Sequence, residues 1–193
     1  MAQFGFYFDA DNCIGCRTCQ IACKDRNGLE VGELYRRVST FETGSFPTPR
    51  MYNYASTCNH CAMPACMANC SAGAISKDAD TGIVLIDEEK CTGCGACVES
   101  CPYGVPVMIE SKGIAGKCDT CKSIRDAGGN PTCVDACIAR VLDFGDIEEL
   151  RAKHGDDCVN EIACLPSPDM TNPSVLIKAK DCMFEEDFVE ALM

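Results

Sequence analysis

The sequence predicts an α+β protein in which a cysteine-rich body is followed by a C-terminal extension. Two observations support this division. Of the 19 cysteines in the 193 residues, 16 lie between residues 1 and 142, in clustered runs separated by short apolar stretches. Residues 143–193 instead contain 13 acidic and only 4 basic side chains, a net charge of −9. The chain therefore has a cysteine-rich body and an acidic tail.

The overall composition excludes several classes of protein. The net charge of −12 argues against nucleic-acid binding, which requires a basic surface to neutralise phosphates. No apolar run approaches the roughly 18 residues of a membrane-spanning helix. The first residues, MAQFGFYFDADNC, contain neither the basic region nor the apolar core of a secretory signal. We therefore expect no nucleic-acid partner, no direct membrane span and no signal peptide of its own.

The 16 cysteines of the body fall into four quartets of related spacing. Each quartet opens with C-x₂-C and closes with C-x₃-C, and only the middle gap varies. This is an internal repeat in spacing rather than in sequence. The quartets are Cys13/Cys16/Cys19/Cys23, Cys58/Cys61/Cys66/Cys70, Cys91/Cys94/Cys97/Cys101 and Cys118/Cys121/Cys133/Cys137.

Three kinds of site compete to explain these quartets. Disulfides require an oxidising compartment, and C-x₂-C pairs are poor frameworks for structural bridges. Zinc is usually held by two C-x₂-C knuckles, whereas C-x₂-C-x₂-C places three thiolates on one short loop. The run C-x₂-C-x₂-C-x₃-C-P is typical of bacterial ferredoxins, in which the fourth cysteine ligates another cluster. It is complete at residues 91–102, so the pattern favours [4Fe–4S] clusters.

Short strands are predicted between the quartets. Phenylalanines alternate with smaller or polar residues near the N-terminus, which predicts a strand over residues 4–8. Apolar runs predict further strands at residues 83–86, 105–109 and 141–144. We expect the last of these to mirror the first across the outer unit.

Helices are predicted at the quartet closings and in the tail. Each C-x₃-C closing at residues 66–70, 97–101 and 133–137 is expected to form one helical turn, because residues four apart share a helix face. Asp146 and Glu149 resemble a capping box that opens a helix at residues 147–154. The spacing of Phe184, Phe188, Val189 and Leu192 predicts a helix over residues 183–193.

The sequence resembles the four-cluster iron–sulfur subunits of molybdopterin oxidoreductases, of which the dimethyl-sulfoxide reductase electron-transfer subunit is the type. The resemblance rests on CNHC-x₂-PAC at residues 58–66, CPYGVP at 101–106 and KCDTC at 117–121. It also rests on the order of the quartets, the opening FGFYFDADNCIGCRTCQIACK and the closing CVDACIARVLDFGD. It covers residues 4–146, most of the chain.

The resemblance implies a ligand set for four [4Fe–4S] clusters. In that family each cluster takes three cysteines from one quartet and the last from a partner quartet, the first pairing with the fourth and the second with the third. The implied sets are Cys13, Cys16, Cys19 and Cys137; Cys58, Cys61, Cys66 and Cys101; Cys91, Cys94, Cys97 and Cys70; and Cys118, Cys121, Cys133 and Cys23. Relatives that act on nitrate have Trp at the position of Cys94 and a three-iron cluster there, so Cys94 implies a fourth cubane.

Together the quartets and the resemblance predict two ferredoxin-like 2[4Fe–4S] units, one inserted in the other. The outer unit is expected to comprise residues 1–50 and 111–150, and the inner unit residues 51–110. Residues 151–193 form the acidic C-terminal extension. Most of the folding free energy is expected to come from cluster ligation, because metal binding and folding are coupled in such small domains.

The resemblance implies an electron-transfer subunit that relays electrons to or from a molybdenum or tungsten catalytic subunit. A quinol-oxidising membrane subunit or a soluble donor is the expected second partner. The sequence has no H-E-x-x-H, P-loop or dinucleotide motif, so we expect it to be non-catalytic. The alternative is a subunit of a hydrogenase or formate hydrogenlyase, or a standalone polyferredoxin. The expected location is the cytoplasm, or export in folded form with a partner that bears a twin-arginine signal.

Several further side chains are candidates for supporting roles. His60, within CNHC, is expected to orient that loop or to hydrogen-bond a sulfur. Cys158, Cys164 and Cys182 lie outside the quartets and are expected to be small buried apolar residues. Some basic residues lie beside predicted ligands, where they would either offset the cluster charge and raise potentials or remain solvated: Arg17, Lys24, Lys117, Lys122 and Arg140.

Overall fold

The structure, a computed structural model, describes residues 2–191. Short strands and short helices alternate along the sequence, which confirms the predicted α+β class. The strands are β1 (Phe4–Asp9), β2 (Arg36–Thr43), β3 (Arg50–Thr57), β4 (Ile75–Lys77), β5 (Val84–Ile86), β6 (Val107–Ile109), β7 (Ile114–Gly116), β8 (Leu142–Asp146), β9 (Val175–Lys178) and β10 (Val189–Glu190). The helices are α1 (Thr18–Arg26), α2 (Ala65–Ala68), α3 (Ala96–Ser100), α4 (Lys122–Asp126), α5 (Thr132–Asp135) and α6 (Ile147–His154), with 3₁₀ turns at Pro168–Met170 and Asp181–Phe184.

A three-stranded sheet joins the two ends of the body to the tail. β1 lies in its centre, antiparallel to β8 and parallel to β9. Phe6 lies opposite Phe144 on β8, and the two rings pack with centroids 4.9 Å apart. The strands predicted at residues 4–8 and 141–144 are therefore confirmed, as is their pairing. The acidic extension contributes β9 to this sheet, so it is an integral part of the fold.

Helix α6 covers the face of this sheet that carries Tyr7 and Leu176. The Asp146 carboxylate accepts hydrogen bonds from the backbone N–H groups of Glu148 (2.9 Å) and Glu149 (3.4 Å), which satisfies two of the free donors at the helix N-terminus. Leu150 then packs against Tyr7 and Leu176. The helix predicted at residues 147–154 is confirmed, and Asp146 caps it. Among the described residues, Glu149 does not accept the reciprocal hydrogen bond that would complete the predicted capping box.

A second sheet, which the sequence did not predict, is formed by β2, β3 and β10. β2 and β3 form an antiparallel hairpin in which Phe41 lies opposite Tyr52. At the start of β2, alternate side chains are buried, namely those of Arg36, Val38 and Thr40. Two smaller hairpins, β4–β5 and β6–β7, contain the strands predicted at residues 83–86 and 105–109.

The prediction of a helix over residues 183–193 is wrong. A 3₁₀ turn at Asp181–Phe184 is followed by the extended strand β10, while Leu192 lies outside the described residues. The edge of β2 that faces away from β3 explains the difference. Its backbone N–H and C=O groups are open to hydrogen bonding, and β10 pairs with them as a strand, which a short helix could not do. Val189 pairs with Glu42, and the Phe188 ring packs edge-on against Phe41 at 5.8 Å.

The hairpins also cross the predicted limits of the inner unit. The limit at residue 50 falls within β3, which pairs with β2 of the outer unit. The limit at residue 110 falls between β6 and β7, which pair with each other. Within residues 2–191, no helix has the length and apolarity needed to cross a bilayer.

Candidate metal centres

The cysteines of the four quartets lie in four groups, each defined by its members. Group 1 is Cys13, Cys16, Cys19 and Cys137; group 2 is Cys58, Cys61, Cys66 and Cys101; group 3 is Cys70, Cys91, Cys94 and Cys97; group 4 is Cys23, Cys118, Cys121 and Cys133. All 19 cysteines are free thiols.

Groups 1, 2 and 3 each line a separate cavity. The empty volumes are about 340, 380 and 330 Å³ respectively. All four cysteines of a group line the corresponding cavity, and most of the remaining lining is apolar. In each cavity, three cysteines come from one quartet and the fourth comes from its partner. This is the pairing of quartets that the resemblance implies, and the ligation itself stays a prediction.

Group 4 is the most deeply buried of the four. Cys23 projects from α1, which packs against α5 and its Cys133. Burial and then the thiolate of Cys133 raise the pKa of Cys23 to about 12. Burial, followed by the thiolate of Cys23, also raises the pKa of Cys118 well above its ordinary value. The Cys121 thiol contacts the Thr132 hydroxyl at 3.7 Å.

Tight turns allow the cysteine loops to curl around these cavities. Gly15 has φ +68°, and a Cβ added there would lie 2.6 Å from Oδ1 of Asn53. Asn53 is fixed in place because it accepts a hydrogen bond from Thr40 (2.8 Å) and donates one to the Cys13 carbonyl (3.0 Å). The loop that presents group 1 is therefore held against the β2–β3 hairpin.

The groups follow one another in the order 1, 4, 2, 3. Helix α1 carries Cys19 of group 1 and Cys23 of group 4 one turn apart. Cys118 of group 4 directly follows Lys117, which lines the cavity of group 2 and donates to the Cys118 carbonyl at 3.1 Å. Residues 66–70 join group 2 to group 3. The order leaves groups 1 and 3 at the two ends, and each contains one exposed cysteine, Cys16 and Cys94 respectively.

His60 is a buried donor in the lining of the group 2 cavity. Its Nδ1 accepts a hydrogen bond from the Val84 backbone N–H at 3.1 Å. In a neutral imidazole the other nitrogen then carries the proton. Burial, and then the charge of Lys117, hold the pKa of His60 well below its ordinary value, so the ring is neutral. The Nε2–H group is fully buried and has no hydrogen-bond acceptor among the described residues.

This orphaned donor tests whether the cavity suits a sulfur-containing cluster. Buried N–H groups are almost always hydrogen-bonded, and His60 lines the cavity together with the four thiols of group 2. Within residues 2–191, no three His, Cys, Asp or Glu side chains converge tightly enough to hold a single metal ion. Four cysteines around a cavity fit a group of several atoms, with inorganic sulfide as an acceptor for His60.

Burial raises the pKa of many of these thiols. The pKa is about 11 for Cys19 and Cys61 and about 12 for Cys23 and Cys66, in each case chiefly because the thiolate would lose its hydration. Cys16 differs, since hydrogen bonds from the Thr18 hydroxyl and backbone N–H lower its pKa. At neutral pH these four thiols, with pKa values of about 11 and 12, hold their protons, so metal binding must release them.

The basic residues beside the predicted ligands occupy different environments. Lys117 is buried, donates to the carbonyls of Val84 and Cys118, and lines the cavity of group 2. Arg17 lines the cavity of group 1. Others lie towards solvent: Lys122 pairs with Asp126, Arg140 donates to the Asp135 carbonyl, and Lys24 donates to the Glu30 carbonyl.

Sequence reasoning missed Arg36. This side chain is 2% exposed, donates to the carbonyl of Ala55 in the lining of the group 1 cavity, and belongs to β2, against which α1 packs. The only signal in the sequence is the position of Arg36 in the alternation along β2, where it shares the inward face with Val38 and Thr40. The three thiols outside the quartets lie elsewhere: Cys158 and Cys182 are buried in the core, and Cys164 packs against it.

Comparison with known families matches most of the cysteine-rich body. Residues 49–147 match the family described as 4Fe-4S dicluster domain, and residues 4–25 match the family described as 4Fe-4S binding domain. Both matches fall on the quartets.

Individual relatives match nearly the whole sequence. The B component of anaerobic dimethyl sulfoxide reductase from Haemophilus influenzae is 42% identical over 187 residues, covering 92% of this protein and 90% of the relative. The protein of the same description from Escherichia coli K12 is 41% identical over 184 residues, covering 91% and 88%. The B component of sulfite dehydrogenase from Allochromatium vinosum is 32% identical over 170 residues, covering 77% and 71%.

Proposed function

Because this protein belongs to the family of iron–sulfur electron-transfer subunits that includes the B component of anaerobic dimethyl sulfoxide reductase, we propose that it carries four [4Fe–4S] clusters. We further propose that it passes electrons to or from a catalytic subunit that holds molybdenum or tungsten. The protein itself then contributes no catalytic residue, and the partner determines the substrate.

The observation that carries this proposal is the convergence of four cysteines on each of three cavities. In group 1, Cys137 joins cysteines that lie more than 110 residues away in the sequence, at positions 13, 16 and 19. Four thiolates are the usual ligand set of a [4Fe–4S] cluster, which supplies a one-electron redox couple when bound. Group 4 has the same number of cysteines and lies at the contact between α1 and α5.

The other residues around the cavities suit the control of redox potential. Apolar side chains exclude water from the sulfurs: Phe8, Val38 and Leu142 do this at group 1. Buried N–H donors such as His60 Nε2 favour the more negative, reduced state. Exposure to solvent and hydrogen bonding to sulfur are among the properties through which a protein sets such potentials.

The linear order of the groups supports a role as a relay. Electrons would enter beside one terminal group and leave beside the other, because the cysteines exposed to solvent lie in groups 1 and 3. At group 1, the apolar side chains of Ile14 and Ile138, which directly follow Cys13 and Cys137, are exposed. This surface suits contact with a protein partner better than contact with water. We assign the second terminus to a quinol-oxidising membrane subunit or a soluble donor.

The proposed function is tested by a potentiometric titration of the anaerobically purified complex, followed by electron paramagnetic resonance. We expect four reduction steps in this protein, with signals broadened by spin interaction between neighbouring clusters. A single, magnetically isolated cluster would contradict the proposal. Four clusters in a complex that contains nickel, or that lacks both molybdenum and tungsten, would retain the relay but reject the partner.

A further inference from the structure

Arg36 lies at the start of β2 as a buried cation with free donors. Its Nη1 donates to the Ala55 carbonyl on β3 at 3.0 Å, and its Cζ lies 4.7 Å from the centroid of the Phe6 ring. Its Nε and Nη2 have no hydrogen-bond acceptor among residues 2–191. A buried charge in this condition is strongly unfavourable unless an anion lies close to it.

Arg36 lies beside the cysteines of two groups. Its hydrogen-bond partner Ala55 lines the cavity of group 1, and helix α1, which carries Cys19 and Cys23, packs against β2. Burial acts to lower the pKa of Arg36, but the thiolates of Cys133, Cys19, Cys118 and Cys23 outweigh it and raise the pKa above its ordinary value. Cys19 belongs to group 1, and the other three belong to group 4. In return, the guanidinium charge opposes the effect of burial on the pKa of Cys19 and Cys23.

No carboxylate takes the place of these thiolates. Among the ion pairs of the described residues, none includes Arg36. The planar guanidinium presents its N–H groups in different directions in one plane, so a single side chain can donate to acceptors on two sides. Two unsatisfied donors therefore lie between two sets of sulfur atoms.

We propose that Arg36 is a positioning residue that bridges groups 1 and 4, donates to sulfur on both sides, and raises the reduction potentials of both clusters together. The inference rests on the proposed function, because it requires clusters at these two groups. Each reduction adds one electron, received from the neighbouring redox centre, and therefore one negative charge. A fixed positive charge stabilises that added charge. Since a guanidinium is not deprotonated in proteins, the effect persists across the pH range.

The test uses Arg36→Met in the complete complex, with Arg37→Met as its matched control. Arg37 is the next residue on β2 and points outward, so its loss removes the same charge from the surface. The readouts are iron per protein molecule and the reduction potentials of the clusters, measured by electron paramagnetic resonance during titration. For Arg36→Met we expect a full complement of iron and a fall in two of the four reduction potentials. Each of the two should fall by at least about 59 mV, which is a tenfold decrease in the equilibrium constant for one-electron reduction.

A second variant, at the same position, distinguishes an effect of Arg36 on the potentials from a purely structural role. Arg36→Lys keeps the charge but loses the planar fork, so we expect the same two potentials to fall by less than in Arg36→Met. The inference would be overturned if Arg36→Met or Arg36→Lys bound a full complement of iron and kept all four reduction potentials unchanged. It would also be overturned if all four reduction potentials shifted equally. It would also be overturned if both variants lost iron while Arg37→Met kept it, because Arg36 would then only maintain the fold. Wild-type protein without four potentials would instead reject the proposed function.

Discussion

Cys66 and Cys70 lie one helical turn apart, yet they line different cavities. Cys66 contributes to the cavity of group 2, and Cys70 contributes to that of group 3. The turn of α2 between them is therefore a fixed spacer between two neighbouring centres. Cys19 and Cys23 on α1 have the same relationship to groups 1 and 4. The C-x₃-C closings thus connect centres, while the C-x₂-C openings build them.

The grouping of the cysteines predicts for which pairs of cysteine substitutions the losses of iron add together. Cys13→Ala and Cys137→Ala fall in group 1, so the double variant should lose no more iron than the more severe single variant, up to about four of about sixteen atoms. Cys137→Ala combined with Cys118→Ala disrupts two groups, so the losses should sum. Iron and sulfide analysis of the purified protein measures this, with Cys158→Ala as the control that keeps all its iron. Additive losses for Cys13 and Cys137 would contradict the grouping.

His60 should raise the potential of the cluster at group 2. His60→Phe removes the buried Nε2–H donor while it keeps a planar ring in the same space. Since a net hydrogen bond contributes about 0.5–1.5 kcal/mol, we expect one of the four potentials to fall by about 20–60 mV. His154→Phe is the control, because His154 is the last residue of α6, its ring stacks on Tyr7 with centroids 3.7 Å apart, and it lines none of the three cysteine cavities. An unchanged set of potentials in fully loaded His60→Phe would show that Nε2 does not act on the cluster.

Gly15 should tolerate a side chain less well than Gly28. Both residues have positive φ, +68° and +58°, so alanine at either position costs about 1–2 kcal/mol in backbone strain. Only at Gly15 does the added Cβ meet Asn53, whereas nothing lies within 4 Å at Gly28. We expect Gly15→Ala to show the lower thermal midpoint and to lose iron from group 1. Equal midpoints and iron contents in the two variants would argue against the contact with Asn53.

The cap of α6 should affect stability but leave the clusters intact. Asp146→Ala removes the acceptor of three backbone N–H groups, those of Gln3, Glu148 and Glu149, and should destabilise the protein by about 1 kcal/mol. For a protein of this size that corresponds to a fall in thermal midpoint of about 2–4 °C. Asp146→Asn retains a capping side chain and should behave almost like the wild type. Loss of iron from Asp146→Ala would mean that α6 supports the metal centres as well.

The parts of the fold that the sequence predicted are those encoded by local spacing. The quartets define their own loops, because cysteines that are three or four residues apart must share one turn. Phe4, Phe6 and Phe8 alternate strictly enough to mark β1, and Asp146 marks the start of α6 through its own hydrogen bonds. The pairing of quartets came from the family resemblance, since no spacing within one quartet specifies its partner.

The parts that the sequence did not predict depend on long-range contacts. β2 begins with two arginines, and a strand whose inward face starts with a buried Arg36 violates the usual apolar pattern. That position makes physical sense only once the thiolates of groups 1 and 4 are known to lie beside it. β9 and β10 likewise pair with strands more than 130 residues away, and their short runs carry no periodic signal of that partnership.

The proposed function requires four iron–sulfur clusters in this protein and a molybdenum or tungsten enzyme as its partner. Metal analysis of the complex, purified anaerobically from its own host, measures both. We expect about sixteen irons and as many sulfides per protein molecule, together with molybdenum or tungsten and with zinc below one equivalent. Zinc in place of iron would contradict the account, since the cysteine groups would then be structural zinc sites.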